Sequence, residues 1–111
     1  MSEHDNKFLK FIIEWSKKAL KYKGTLSLEE FIDNEEAIIL CAFCLKEVWE
    51  YASKLSSEFV ESNKHIPWDS IKGMRNRIVH NYEGVNPTIL YEAITISLPF
   101  LINDINNLIK E

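Results

Sequence analysis

The run Asn34–Leu55, NEEAIILCAFCLKEVWEYASKL, is the stretch that decides the fold. Its centre, Ala37–Leu45, is apolar nearly all round on a helix, so it is predicted to be the most buried element. This is the longest apolar run, and it is far shorter than the roughly 20 residues that a membrane-spanning helix needs. The run therefore predicts a core helix on which the rest of the chain packs.

Upstream of this run the sequence predicts one long helix and one short one. The long helix covers Glu3–Lys23, and Gly24 is a natural stop for it. Its apolar residues recur at helical spacing: Phe8, Ile12, Trp15 and Ala19. Thr25–Asp33 is typical of a turn followed by a short helical piece, because Ser27 and Glu30 have the spacing of a capping box.

Downstream, Ser56–Lys64 is predicted to add a short helical extension before a loop. Pro67 suits the first position of a third helix, which should end near Asn81–Gly84. A last helix begins after Pro87 and runs to about Lys110, with Asn86 as its cap.

Pro99 should kink the last helix, because proline lacks an N–H and clashes with the preceding turn. The whole pattern predicts an all-α fold: an up-and-down four-helix bundle with short extra helices, in one domain spanning residues 1–111.

Composition limits the function classes. The 111 residues suffice for one core, and the net charge of −4 excludes a strongly basic nucleic-acid binder but not a local basic patch. Cys41 and Cys44 lie inside the apolar run, which favours ordinary core cysteines in a reduced, intracellular protein. Met1–Lys7 is polar and charged, so no signal peptide is expected. We therefore expect a cytoplasmic protein without a membrane segment.

The stretch RNRIVHNY, Arg75–Tyr82, combines the side chains that phosphodiester chemistry needs. Arginine holds phosphate with a planar fork of donors, and histidine exchanges a proton near neutral pH. Arg75 falls in the apolar sector of the predicted helix, so it needs a partner, and Glu50 on the neighbouring helix is the expected acid.

Asn76 and His80 share the polar face of that helix, four residues apart. Gly73 lowers helix stability, which suggests that something approaches the backbone there. On one continuous helix Arg75 and His80 point about 140° apart. Either the helix unwinds at His80, or two protomers combine their residues in one cleft; we favour the second and expect a homodimer.

Each of these residues also has a structural interpretation. Arg75 could form a structural ion pair, His80 could interact with a helix C-terminus, and Tyr82 could be a core ring. The rings of Trp15 and Trp49 favour core or dimer contacts over stacking platforms for bases.

A longer segment, HIPWDSIKGMRNRIVHNYEGV (His65–Val85), closely resembles the signature of the HepT-like branch of the HEPN superfamily. That family has an Ile-Pro-Trp opening, a Gly-Met-Arg-Asn core and an Arg-x4-His-x-Tyr motif followed by Gly-Val. Glu50–Ser56 and Ile89–Ile94 resemble its second and closing helices. One departure is Trp49, where the family usually has glycine.

The resemblance implies a metal-independent ribonuclease that acts as a toxin and needs no cofactor. It further implies a homodimer with the site in its cleft, forming a higher assembly with a small MNT-type nucleotidyltransferase as antitoxin. The residue matching the tyrosine to which such antitoxins attach AMP is Tyr82.

On this interpretation the RNA 2′-hydroxyl is the nucleophile. His80 serves as general base or acid, Arg75 stabilises the phosphate charge, and Asn76 orients His80 or the phosphate by a hydrogen bond. Lys72 and Arg77 would contact the RNA backbone. No His/Asp/Glu cluster has convincing metal-ligand spacing.

Two alternatives stay open. The chain could be a non-catalytic nucleotide- or substrate-binding subunit of a nucleotidyltransferase complex, although members of that kind tend to lack the Arg-x4-His-x-Tyr motif. It could also be a plain dimeric bundle without chemistry, in which Gly73, Asn76 and His80 are incidental.

Overall fold

The fold is described from a computed structural model, which covers the backbone of residues 2–81 and 84–109 and the side chains of residues 2–73 and 84–109. Helices account for most of this part of the chain. In order they are α1 (Glu3–Lys23), α2 (Leu28–Ile32), α3 (Glu35–Ser53), α4 (Ser57–Ser62), α5 (Trp68–Ile78), α6 (Pro87–Glu92), a π-helical turn (Ala93–Ser97) and α7 (Leu98–Ile109). Two short strands, β1 (Val79–Asn81) and β2 (Gly84–Val85), lie between α5 and α6.

The centre of the molecule is the antiparallel pair of α1 and α3, which forms the most extensive helix–helix contact. One continuous core joins this pair to α5, α6 and α7. Its fully buried side chains include Leu9, Ile12, Phe31, Cys41, Leu45, Val48, Ile66, Leu90, Ile94 and Ile105. Burial of this apolar surface is the main stabilising contribution to the fold.

Local hydrogen bonds set the helix ends where the sequence predicted them. The capping box at α2 is complete: Ser27 N–H donates to Glu30 Oε1 at 2.9 Å, and Glu30 N–H donates to Ser27 Oγ at 3.2 Å. Asn86 Oδ1 accepts from the N–H groups of Thr88 and Ile89, each at 3.1 Å. The predicted bounds of α1 are confirmed, with Gly24 as its C-cap.

A buried carboxylate ties the start of α1 to the start of α4. Asp5 is only 3% exposed, and its Oδ1 accepts from Ser56 N–H at 2.8 Å. Its Oδ2 accepts from the hydroxyls of Ser56, at 2.7 Å, and Ser2, at 3.0 Å. Burial on its own would raise the pKa of Asp5, but the hydrogen bonds from Ser56 and Ser2 lower that pKa below its usual value.

The chain from Pro87 to Ile109 is one helix of 23 residues, interrupted by the π turn. Leu98 N–H donates to Ala93 O, five residues back, directly before Pro99. An ordinary α turn would have brought the Pro99 ring against the carbonyl of Thr95, and the wider turn relieves that clash. The disruption predicted at Pro99 thus takes the form of a π turn.

By length and composition alone, this last helix could cross a membrane. The core helix of a soluble protein passes the same test, and about a third of its most apolar window is buried inside the molecule. The buried residues are Leu90, Ala93, Ile94, Leu98, Leu101 and Ile105.

The structure is mostly helical, as the sequence predicted, with two differences. α3 is buried on one side only, because Ile39 is 58% exposed and Phe43 is 50% exposed. The motif helix ends at Ile78 rather than near Asn81–Gly84, and a short ribbon replaces its last turn. The up-and-down four-helix arrangement and the homodimer stay predictions.

Candidate functional site

The motif helix α5 is anchored at its start by the Ile-Pro-Trp segment. Ile66 is 1% exposed and Trp68 is 4% exposed, so both side chains lie in the core. The indole Nε1–H of Trp68 donates to Asn63 O at 3.2 Å, and its ring lies 5.9 Å from that of Phe59. Pro67 O accepts from Ile71 N–H at 3.0 Å and so begins the helix. These contacts fix the direction in which α5 leaves the core.

The other end of α5 changes from helix to extended backbone within the motif itself. β1 pairs with β2 in an antiparallel ribbon that joins Val79 to Val85 and Asn81 to Gly84, with an irregularity between the two pairs. His80 therefore lies on a strand. Of the two alternatives raised by the sequence, the backbone follows the unwinding that we had not favoured, so the 140° separation on one continuous helix no longer supports a dimer.

Gly84 makes this ribbon possible. Its φ of +120° lies in a region that side-chain-bearing residues rarely adopt. Sequence reasoning missed the ribbon, although a signal was present: β-branched Ile78 and Val79, followed by Asn81 and Gly84, have the composition of a strand and its turn.

The predicted site residues are placed as follows. Lys72 is exposed and Gly73 half-buried, both on α5. By their backbone, Arg75, Asn76 and Arg77 belong to the last turn of α5. They lie three to five residues before His80, which is in β1. The side chains of these motif residues, and Tyr82 as a whole, lie outside the described residues.

Glu50, the expected partner of Arg75, lies on the exposed side of α3. Its carboxylate is 3.9 Å from Lys46 Nζ, and its side chain is 46% exposed. Such an exposed pair is weak, so the carboxylate can accept a second cation. The Glu50–Arg75 pair stays a prediction, because the Arg75 side chain is outside the described part of the chain.

The space around Gly73 is open. A Cβ added there would have no atom of the described residues within 4 Å. Among the described residues, nothing lies where a Gly73 side chain would begin, so the predicted close approach to that backbone stays a prediction.

An apolar groove of about 360 Å³ runs between α3, α5 and the last helix. Trp49, 4% exposed, forms part of its wall together with Pro67 and Ile71 at the start of the motif helix. The side chains of Ile96 and Phe100 border the groove and are 58% and 69% exposed. The bulky residue at position 49 thus packs behind the motif helix.

The two cysteines lie in the core and do not form a site. Both thiols are free and buried, and burial together with the Cys44 sulfur raises the pKa of Cys41 to about 12. A thiol with that pKa stays protonated near neutral pH and is a poor nucleophile. Among the described residues, no group of three or more His, Cys, Asp or Glu could hold a metal ion.

Comparison with known proteins identifies the family. The ribonuclease HepT-like family model matches residues 12–108. A protein of Caldanaerobacter subterraneus subsp. tengcongensis named "Putative RNase" is 31% identical over 111 residues, covering 98% of this chain and 91% of the relative. Another "Putative RNase", from Methanocaldococcus jannaschii, is 28% identical over 94% of this chain and 86% of the relative.

A more distant relative, "Probable ribonuclease HepT" of Thermococcus cleftensis, is 21% identical over 91% of this chain and 92% of its own length. No solved structure matches the chain. Since the family model covers nearly the whole sequence, including the anchored motif helix and its ribbon, the chain belongs to the ribonuclease HepT-like family.

Proposed function

We propose that this protein is a metal-independent endoribonuclease and the toxin of a toxin–antitoxin pair. The observation that carries the proposal is the family match across residues 12–108, which includes an intact Arg75-x4-His80-x-Tyr82. The relatives' names support ribonuclease activity. Pairing with an antitoxin follows from the resemblance of the motif.

The chemistry is transfer of the phosphoryl group within the RNA. The 2′-hydroxyl oxygen bonds to the adjacent phosphorus while the bond to the 5′-oxygen of the next nucleotide breaks. This step leaves a 2′,3′-cyclic phosphate and a 5′-hydroxyl end. His80 takes the 2′-hydroxyl proton or supplies one to the leaving oxygen, a role worth about 10²–10⁴ in rate.

Arg75 stabilises the charge that develops on the nonbridging phosphate oxygens. Arg75 belongs to the last turn of α5, whereas His80 follows on β1. Because the helix ends between them, their relative directions are not those of two residues on one continuous helix. Asn76 orients His80 or the phosphate by a hydrogen bond. Lys72 is exposed on the same helix and, with Arg77, contacts the RNA backbone.

The active form is a homodimer that uses the apolar groove. Ile96 and Phe100 form an exposed ridge beside that groove, so a twofold arrangement places each ridge in the groove of the partner subunit. Because Pro67 and Ile71 of the motif helix line the groove, such a dimer brings the two motif helices near each other. A stable interface of this kind buries about 800 Å² on each protomer.

Regulation acts on Tyr82. Attachment of AMP by a nucleotidyltransferase antitoxin would add a negative phosphodiester and a large base next to the motif. Like charge would repel the RNA phosphates, and the base would block the cleft. Intact mass of the protein made with its partner tests this, with Tyr82→Phe as the variant that should stay unmodified.

The ribonuclease proposal is tested by incubating RNA with wild type, His80→Ala and His65→Ala in EDTA. His65 is an exposed histidine 15 positions upstream and serves as the matched control. We expect cleavage by wild type and His65→Ala and its loss in His80→Ala. Equal cleavage by all three, or none by wild type free of antitoxin and AMP, would count against the proposal.

A further inference from the structure

The corner between α4 and α5 is built around one residue, Asn63. Its backbone N–H donates to Val60 O at 3.2 Å, and its side-chain Nδ2–H donates to Phe59 O at 2.9 Å, so Asn63 closes the end of α4. Its carbonyl oxygen accepts from Ile66 N–H at 3.1 Å and from the indole N–H of Trp68 at 3.2 Å. Four hydrogen bonds therefore meet at Asn63, and two of them connect it to the segment that begins α5.

The apolar contacts at this corner hold α5 against the core without fixing its angle. Among the described side chains of α5, the buried ones are Trp68, 4% exposed, and Ile71, 8% exposed. Burial of apolar surface has little directional preference, whereas a hydrogen bond requires its donor and acceptor to be aligned. The hydrogen bond from Trp68 to Asn63 is therefore a contact that can set the direction of the helix.

The distance from this corner to the motif is long enough to amplify a small rotation. Arg75 lies seven residues after Trp68. At 1.5 Å per residue this is about 10.5 Å along the helix axis, so a rotation of α5 by about 5° at the corner would move the Arg75 backbone by about 1 Å. In a reaction that depends on alignment, a displacement of about 1 Å can lower the rate about 10²-fold.

His80 is held by a different part of the chain. Its strand, β1, pairs with β2, where Val79 lies opposite Val85. Val85 packs against the hydrophobic core, two residues before α6 begins. Because Arg75 and His80 are anchored at opposite ends of this segment, a rotation of α5 at the corner would change the position of Arg75 relative to His80.

We propose that the hydrogen-bonded pair of Asn63 and Trp68 is a positioning contact of the ribonuclease reaction. The indole N–H of Trp68, held by Asn63 O, sets the angle of α5 and so places Arg75 beside the reacting phosphate. The inference rests on the proposed function and extends it to two residues outside the Arg-x4-His-x-Tyr motif. Both act through Arg75, without touching the RNA.

Trp68→Phe tests this contact, because phenylalanine keeps an aromatic ring in the core and lacks the N–H. For a single-site RNA oligonucleotide in EDTA, kcat per folded molecule should fall about tenfold. The affinity for the same RNA is measured in the His80→Ala background, so that the RNA stays intact. It should change by less than about twofold, because a displaced reacting group lowers kcat and leaves ground-state binding in place.

Tyr91→Phe is the matched control. The Tyr91 hydroxyl donates to Leu26 O at 2.8 Å, so this variant also removes one partly buried hydrogen bond from an aromatic side chain to a backbone carbonyl. The Tyr91 ring packs against Phe31, on α2. Like Trp68→Phe, Tyr91→Phe should lower the midpoint of urea denaturation, but it should leave kcat and RNA affinity at their wild-type values.

A double-mutant cycle separates positioning from a general loss of structure. Trp68→Phe should lower the single-turnover rate about tenfold in wild type but less than about twofold in Arg75→Ala, because no guanidinium is left to place. A general structural effect would lower the rate by the same factor in both backgrounds. Asn63→Ala removes the Nδ2–H donor to Phe59 O and should follow the same pattern as Trp68→Phe.

Wild-type kcat in both corner variants, or an equal loss of rate with and without Arg75, would overturn this inference and leave the ribonuclease proposal intact. A loss of RNA affinity in place of kcat would assign Trp68 to substrate binding and would also overturn it. Should Trp68→Phe fail to fold, Asn63→Ala decides between these results. If wild type itself cleaves no RNA, the proposed function fails, and this inference fails with it.

Discussion

Two regions of the molecule hold polar residues at the end of a helix, and they do so for different reasons. At the start of α1, Asp5 is buried and accepts three hydrogen bonds, from the backbone N–H and hydroxyl of Ser56 and the hydroxyl of Ser2. At the end of α5, Arg75 and His80 lie where the helix gives way to a ribbon. Asp5 has its partners within the chain, so it holds the fold together.

The comparison teaches how to interpret a polar residue at the end of a helix. A buried carboxylate with all its partners in the same chain contributes to stability. A cation and an imidazole on a segment that leaves regular helix are suited to a partner from outside. The predictions below separate these two roles, beginning with the largest effect.

His80→Ala should lower the rate of RNA cleavage by about 10²–10⁴, because it removes the group that transfers the proton. Because the proposal assigns His80 to the chemistry and not to the scaffold, the free energy of unfolding should change by less than about 0.5 kcal/mol. Single-turnover cleavage and urea denaturation measure the two quantities. A loss of stability that accounts for the loss of activity would place His80 in the scaffold.

Asp5→Ala should show the reverse pattern. It leaves the Ser56 N–H and both hydroxyls without their acceptor, at a cost of about 3 kcal/mol of unfolding free energy. The cleavage rate per folded molecule should stay at the wild-type value. Ser2→Ala removes one of the three hydrogen bonds and should cost about 1 kcal/mol. Equal stability of wild type and Asp5→Ala would contradict this role.

The same carboxylate predicts a dependence of stability on pH. Hydrogen bonds hold the folded-state pKa of Asp5 below its usual value. The ionised carboxylate therefore contributes fully to the free energy of unfolding above the unfolded-state pKa of about 3.9. That contribution is lost as the pH falls through the lower, folded-state pKa. Wild type should therefore lose more unfolding free energy than Asp5→Asn in denaturation series between about pH 6 and pH 2.

The two glycines near the motif should respond oppositely to alanine. Gly84→Ala forces a side chain into a φ of +120° and should cost about 1–3 kcal/mol. Gly73→Ala adds a Cβ to a helical residue, at a point where no described atom lies within 4 Å. It should therefore raise the free energy of unfolding by about 0.5–1 kcal/mol. If another molecule approaches the Gly73 backbone, Gly73→Ala will still cleave RNA more slowly despite its higher stability.

Local chemistry made much of the fold predictable. The bounds of α1, the capping box of Ser27 and Glu30 and the Asn86 cap depend on residues close in sequence, and all three are confirmed. The ribbon was missed because Ile78, Val79 and Tyr82 also fit a helical period. Pairing of Val79 with Val85 depends on a contact that periodicity does not encode.

The exposure of Ile39 and Phe43 was unpredictable for a related reason. An apolar run shows that a helix can be buried all round, but it does not show on which side a neighbour is missing. The motif residues were identified from side-chain chemistry and family resemblance. Their mutual placement depends on the ribbon, so the sequence predicted the members of the candidate site without their arrangement.

The most direct measurement is the cleavage rate of a single-site RNA oligonucleotide in EDTA, compared with the same oligonucleotide carrying one 2′-deoxy nucleotide at the scissile position. Wild type should cut the all-ribose substrate, leave the 2′-deoxy substrate intact and yield a 2′,3′-cyclic phosphate end, whereas His80→Ala should cut neither. Cleavage of the RNA by His80→Ala at the wild-type rate, or equal cleavage of both substrates by wild type, would contradict the assignment of the chemistry to the motif at the end of α5.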